Sequence, residues 1–447
     1  MANENIQTTL QVSTTEAFDN LVLNENTAYA TSRAFTRDEL PYGVNLYARV
    51  KHTHATLGAA AWSPTRHFTI KVPANVIGVT LDNTQTKGVL YWVDINGNKV
   101  DSFDWRSHPT FTGMENVIED SSRAPVTLLK IPKFYVKTAA SGPTGTFSAG
   151  KMTWWLSDLP LTGFRPHVAF KRSVSKDSSG KYIIADCIKV GRYLGHSETV
   201  GGKTCIGSKV GQTVLASQTK ANFKTYITNR NNAAAGQSGW RMFDIYDIGA
   251  LRYLSIIATC STDSQACWGD NSAGVAYPKT GSTNARMVFK GTHADPQVAF
   301  EDAWRCYWYH CDLIVMNNGV VSLTSPMDLT STLTFNSSNK ADYTAPTAGG
   351  WIRSVLSCPF TCGDTASNIQ ELFVPATVVS AENQGTFSDY HLENEFSAGD
   401  NYKNGIYIGG MNDSRKGLYC EYPAGPAESQ YYTIGSPAII LMKTTVI

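Results

Sequence analysis

Charge is scarce in this chain. Lysine, arginine, aspartate and glutamate make up 17% of its 447 residues, against roughly a quarter in ordinary soluble domains. That shortfall excludes a disordered acidic or basic tail and predicts an unusually neutral surface. With 38 basic and 37 acidic side chains the net charge is +1, and no block of like charges occurs. The electrostatic attraction that dominates binding to nucleic acid or anionic membranes is therefore missing. Also lacking is any apolar run of membrane-spanning length, so no membrane insertion is expected. The opening MANENIQTTLQVSTTEAF has neither the basic start nor the apolar stretch of a secretion signal, which predicts synthesis in a cytoplasm. Cys187, Cys205, Cys260, Cys267, Cys306, Cys311, Cys358, Cys362 and Cys420 are odd in number and thinly spread. They form no dense disulfide framework, and buried thiols are expected.

Hydroxyl and amide side chains fill the gap left by charge, in stretches such as residues 329–340 (LTSTLTFNSSNK) that suit exposed strands and loops. A chain of this length exceeds the size of one growing core, which predicts two or three domains. Residues 1–40 are polar and without a sustained period, as in an N-terminal arm that orders against a neighbour. Residues 41–125 read as a small antiparallel β-domain, with strands at 68–73, 76–82 and 89–100 and a type I′ hairpin turn at Asn96-Gly97. The turn-rich stretch 107–125 is the expected boundary. From 126 to 447 the pattern is a hairpin of strands 126–137 and 151–158, then helices near 215–230 and 242–259, then loops and short strands. In the second helix Ile245, Ile248, Leu251 or Arg252, Ile256 and Thr259 recur at helical spacing. Strands, helices and strands in that order predict an α+β fold.

Several chemical motifs are incomplete. Gly201-Gly202-Lys203-Thr204 ends like a phosphate-binding loop, but Ser197 stands where its first glycine belongs. In residues 195–199 (GHSET) Thr199 occupies the last glycine of a nucleophile elbow. His52 and His54 share a strand face without a third metal ligand, and Asp94, Asn96 and Asn98 lack the glutamate that completes a calcium loop. Cys358 and Cys362 have a spacing that suits a bridge or zinc, with no second Cys/His pair beside them. Glu301, Asp302 and Asp312 flank the tryptophans and would suit glycoside hydrolysis only at the right separation. The expectation is no catalytic residue, no metal and no cofactor.

Taken together, a series of phrases resembles one family. They are residues 131–137 (IPKFYVK), Trp154 or Trp155 with Ser157, residues 163–170 (GFRPHVAF), residues 190–195 (VGRYLG), and residues 239–269, with Asp263-Ser264-Gln265 at a turn. Trp304 and Trp308, four apart in residues 300–312, then residues 371–376 and 389–396 and a Gly-Gly strand opening residues 409–441 complete the set. The last 320 residues or so thereby resemble the phage branch of the C-type-lectin superfamily, which includes formylglycine-generating-enzyme-like domains and the variable proteins of diversity-generating retroelements. The resemblance implies a C-type-lectin-like domain behind the small β-domain and the arm, with the tryptophans as core anchors. Enzymes of that superfamily bind copper through two close cysteines after the Gly-Gly; only Cys420 stands there in this chain, which implies loss of that chemistry.

The resemblance further implies a bacteriophage virion protein of a tail fibre or spike that binds and does not catalyse. Its N-terminal region would join other virion proteins, commonly as a homotrimer, and its C-terminal loops would meet a host-surface glycan or protein. The alternative is a head-decoration or neck protein that uses the same fold for assembly only. The display loop, residues 401–430, holds the expected ligand contacts Tyr402, Asn412, Asp413, Arg415, Tyr419, Glu421 and Tyr422, with Tyr431 close by, a composition like that of antibody loops.

Overall fold

Apolar residues two apart in the first fifty positions become meaningful once their strand partners are placed. The computed structural model describes residues 6–317 except 36–39, 42–43, 71–74, 85–87, 121–123, 142–149, 162, 172–183, 217, 233–238, 270–278 and 305–307; beyond these it describes 320–324, 340–344, 349–355, 358–362, 365–369, 372–381, 387, 390–391, 404–409, 418–419, 421–422 and 440–441. The chain divides into two units, residues 1–76 with 157–165 and residues 77–156 with 166–447.

The first unit is an antiparallel sheet of β1 (Ile6–Ser13), β2 (Leu21–Ala28), β3 (Asn45–His54), β4 (Gly58–Ala59) and β5 (Arg66–Thr69), in the order β2-β1-β3-β4 with β5 also on β3. Its register opposes Val12 to Leu23 and Ala48. One face therefore gathers Val12, Leu40 and Leu46 with Leu10, Leu23 and Phe68 into a small core, while Thr9, Gln11, Arg49 and Lys51 lie on the other. This corrects the reading of residues 1–40 as an arm: β1 and β2 are strands of the chain's own sheet. Their apolar residues are too few to show a period until β3 supplies the other half of each pair. The boundary also moves from about 125 to 76, because the next strand pairs within the second unit.

The second unit begins with β6 (Ile77–Asp82) and β7 (Val89–Val93), then α1 (Pro109–Thr112), β8 (Glu115–Glu119), β9 (Val126–Pro132), β10 (Tyr135–Ser141) and β11 (Lys151–Ser157). β10, β11, β6 and β7 form one sheet in that order. The register sets Trp154 opposite Val79 and Met152 opposite Leu81, and Trp154 is fully buried. Gly78 has no substitute: a Cβ there would lie 2.7 Å from Cδ1 of Trp155. The expected single strand 126–137 is broken. Pro132, which cannot donate to a ladder, ends β9; Lys133 N–H turns to Asp186 O at 2.8 Å, and the chain changes sheets. β9 then pairs with β8 and with Cys187–Gly191. The 94–98 turn also differs from type I′, since Gly97 has a φ of +87° but Asn96 does not join it in the positive range; Asp94 Oδ1 instead accepts from the N–H groups of Asn96 and Asn98.

Two longer helices follow, α2 (Lys220–Asn232) and α3 (Ile245–Thr259), then α4 (Ser264–Trp268). α2 starts five residues later than its pattern suggests. Leu215 N–H is held by Gly195 O, and Thr219 Oγ1 caps Asn222 N–H at 3.1 Å. α3 is buried from Ile245 to Ala258, as expected of a helix apolar on nearly every side. Asp244 caps it, accepting from Tyr246 and Asp247 N–H while the Asp247 carboxylate accepts from Asp244 N–H. Arg241 forks onto Asp247 at 2.8 and 2.9 Å and also meets Asp244. Among the described residues of the remainder strands dominate: one sheet runs Lys340–Thr344, Val320–Thr324, Trp308–Asn317, Asn404–Gly409, Glu421–Tyr422, and another centres Gly350–Val355 between Pro375–Val379 and Tyr390–His391. The α+β class holds.

Buried charges tie these pieces. Arg230 is fully buried, donating to Asp120 Oδ2 at 2.9 Å and Ile206 O at 2.8 Å, pairing with Glu198, and lying 5.0 Å over Trp240. Glu198 also holds Lys209 and lies beside His196. Burial, with Lys209 and Arg230 nearby, lowers His196 from 6.5 to about 4. Burial and Lys220 lower His310 to about 3. Both histidines bind protons more readily in the unfolded chain, so their contribution is complete above pH 6.5 and is lost as pH falls toward 3–4. Each adds a slope of up to about 1.4 kcal/mol per pH unit. Asp302, raised to about 6 by burial, acts oppositely in part of this window. The expected outcome is that H196Q and H310Q each flatten the fall in denaturation free energy between pH 6.5 and 5. Curves parallel to native would show that neither ring is held neutral.

Candidate functional site

The incomplete motifs resolve into structural roles. Gly201 and Gly202, with φ of +58° and +76°, form the turn between strands Gly195–Val200 and Lys203–Ser208, and Ser197 sits opposite Ile206 in that hairpin. His52 Nδ1 meets Thr8 Oγ1 at 3.0 Å, and His54 Nδ1 accepts from Thr56 and Leu57 N–H. Cys358 and Cys362 end one strand, about 13 Å apart at strand rise, too far to bridge each other. Glu301 binds Arg192 at 2.6 and 2.9 Å. Asp302 accepts from Gly281 N–H and from Thr283 N–H and O–H. Asp312 lies 3.0 Å from Lys220 and 3.2 Å from Lys224; burial alone would raise its carboxyl, but these lysines hold it well below the usual range. Each acid is thus engaged by a different partner. Among the described residues no group of three or more His, Cys, Asp or Glu side chains could hold a metal ion, and no helix is long and apolar enough to cross a membrane.

Leu418 and Tyr419 are the most constrained of the described residues near the expected contacts. Strand Asn404–Gly409 pairs antiparallel with Glu421–Tyr422, setting Tyr407 opposite Tyr422 and Ile408 opposite Glu421. Between them, Leu418 and Tyr419 are buried and belong to no strand. Both backbone groups of Leu418 are held by side chains: its N–H donates to Ser264 Oγ at 2.9 Å, and its carbonyl accepts from Arg252 Nε at 2.9 Å. Arg252, fully buried at the middle of α3, also donates from Nη1 to Leu372 O at 3.2 Å. A guanidinium suits this task, since its fixed fork spreads charge over several carbonyl dipoles. Tyr419 O–H donates back to Arg252 O at 3.2 Å, and its ring packs on Phe373 at 5.7 Å and Phe387 at 5.1 Å. α3 itself is fixed by Tyr253 O–H to Trp155 O at 2.7 Å and by Trp268 Nε1 to Ser255 Oγ at 2.8 Å.

The expected contacts therefore divide. Tyr419 is corrected from a ligand contact to a core residue, 1% exposed; its ring completes an aromatic cluster that a loop reading by composition cannot reveal. Glu421 and Tyr422 lie at the end of the sheet, on its outermost described strand. Tyr402, Asn412, Asp413, Arg415 and Tyr431 lie outside the described residues, as does Cys420. Trp304 is fully buried, donating to Gly269 O at 3.2 Å; the Trp308 backbone opens the strand that pairs with Gly409. Arg252, Ser264 and Leu418 were not singled out by sequence as one group. The available signal was a lone arginine inside an apolar helical period.

Arg252→Met should cost about 3–5 kcal/mol in chemical denaturation, because two buried carbonyls lose their donor. Tyr419→Phe should cost about 1 kcal/mol, the worth of one hydrogen bond. An Arg252→Met protein as stable as native would show that the backbone at Leu418 does not depend on the guanidinium. A scan against protein-family models and a search of curated proteins returned no match for this chain.

Proposed function

We propose that the chain is a structural protein of a bacteriophage virion, in a tail fibre or spike, that binds a host-surface glycan or protein through the loops of a C-type-lectin-like domain and catalyses nothing. The observation that carries this reading is the clamp on Leu418. It fixes Leu418 to a buried helix inside the stretch that carries the expected contacts, and a rigid scaffold beneath contact residues is what recognition sites use. The neutral, hydroxyl-rich sequence and the family resemblance support the virion setting. In the same reading the N-terminal sheet joins other virion proteins, and the working assembly is a homotrimer.

Alanine at Asn412, Arg415 or Tyr422 should leave the melting temperature nearly unchanged while weakening adsorption to host cells by about 1–2 kcal/mol at each hot spot. Folded variants that adsorb as well as native protein would sink the receptor-binding reading in favour of an assembly-only role.

A further inference from the structure

The outer face of the N-terminal sheet carries two cross-strand rows of polar side chains. In one row Arg49, Gln11 and Asn24 stand opposite one another; in the other, Lys51, Thr9 and Asn26 do. The rows are two residues, or about 7 Å, apart. Hydrogen bonds in the first row run one way. Arg49 Nε and Nη2 donate to Gln11 Oε1 at 3.0 and 2.8 Å, and Gln11 Nε2 donates to Asn24 Oδ1 at 3.3 Å. In the second row Thr9 O–H donates to Asn26 Oδ1 at 2.7 Å. Each asparagine thus spends its carbonyl oxygen inside the row and turns its amide N–H donors outward, on exposed residues. A chain of bonds that begins at a cation and runs in one direction polarises its last donor.

Among the described residues, no acid pairs with the cations of this face. Arg49 lies 3.9 Å over Phe18 and 4.4 Å over Trp62, and Lys51 lies 4.7 Å over Trp62; among the described residues neither is in an ion pair. Glu25, between the two asparagines on β2, points to the opposite face with Leu10 and is paired with Arg33 at 2.9 Å. Stacking and the Gln11 fork orient Arg49 before any ligand arrives, which lowers the ordering cost of binding. The surface is one of donors and cations beside a half-exposed indole, and it requires a ligand rich in acceptor oxygens, negatively charged, with an apolar ring face.

We propose that this face binds an acidic saccharide, its carboxylate between Arg49 and Lys51 and its ring oxygens on the Asn24 and Asn26 amides. The site belongs to the first unit and does not depend on the C-terminal loop.

The test is isothermal titration of the full chain with a galacturonic acid tetramer and with its methyl ester, which removes the charge and keeps the sugar. The acid form should bind at least tenfold more tightly than the ester. N24D and N26D keep the inward hydrogen bonds, because a carboxylate also accepts them, but replace the outward donor with charge. Each should weaken binding tenfold or more at an unchanged melting temperature, as should K51Q. Equal binding of acid and ester, no binding of either, or affinity indifferent to these three substitutions overturns the proposal. So does complete displacement by inorganic phosphate at equal concentration, which marks an adventitious ion only.

Discussion

A fully buried cation governs the second unit. Arg252 sits in the middle of a helix that is buried along almost its whole length, where a charge must find polar partners inside the protein in place of solvent, carbonyl dipoles among them. Those carbonyls come from Leu372 and Leu418, residues that local structure leaves without ladder partners. The helix, the aromatic cluster of Phe373, Phe387 and Tyr419, and the backbone at Leu418 thus meet at one guanidinium. The same logic recurs at Arg230, whose fork gathers Asp120, Glu198 and Ile206. In a chain with little charge, several of its charges are kept for joints inside the fold.

What could be read from sequence was whatever rests on near neighbours. The period of Ile245 to Thr259 gives α3 to within three residues, and Asp244 accounts for the late start by capping it. The hairpin at residues 89–100 is legible because Asp94 and Gly97 are local turn chemistry, although the turn type follows φ at Asn96, which composition does not dictate. Partner choice is another matter. That β10, not β9, joins β11 follows from Pro132 interrupting the ladder, and that residues 6–13 and 21–28 are strands follows from β3, seventeen or more positions downstream.

The candidate site divides in the same way. Its composition, rich in tyrosine and asparagine, is a local property and visible; whether a given tyrosine faces outward depends on residues far along the chain. Tyr419 is inward because Arg252 O and the rings of Phe373 and Phe387 receive it. Nothing adjacent to it in sequence carries that information. Trp304 escaped the difficulty because a large indole in a short apolar phrase is core in nearly any packing.

The clamp at Leu418 closes a span of 166 residues, and that span has a consequence in time. At roughly 5–20 residues per second, synthesis places about 8 to 30 s between the appearance of Arg252 and that of its carbonyl partner. During that interval the arginine keeps its hydration and α3 cannot be sealed. The first sheet, whose strands all come from residues 6–69, faces no such delay. The described parts of the molecule therefore close in chain order, with the seat of Leu418 on α3 completed last.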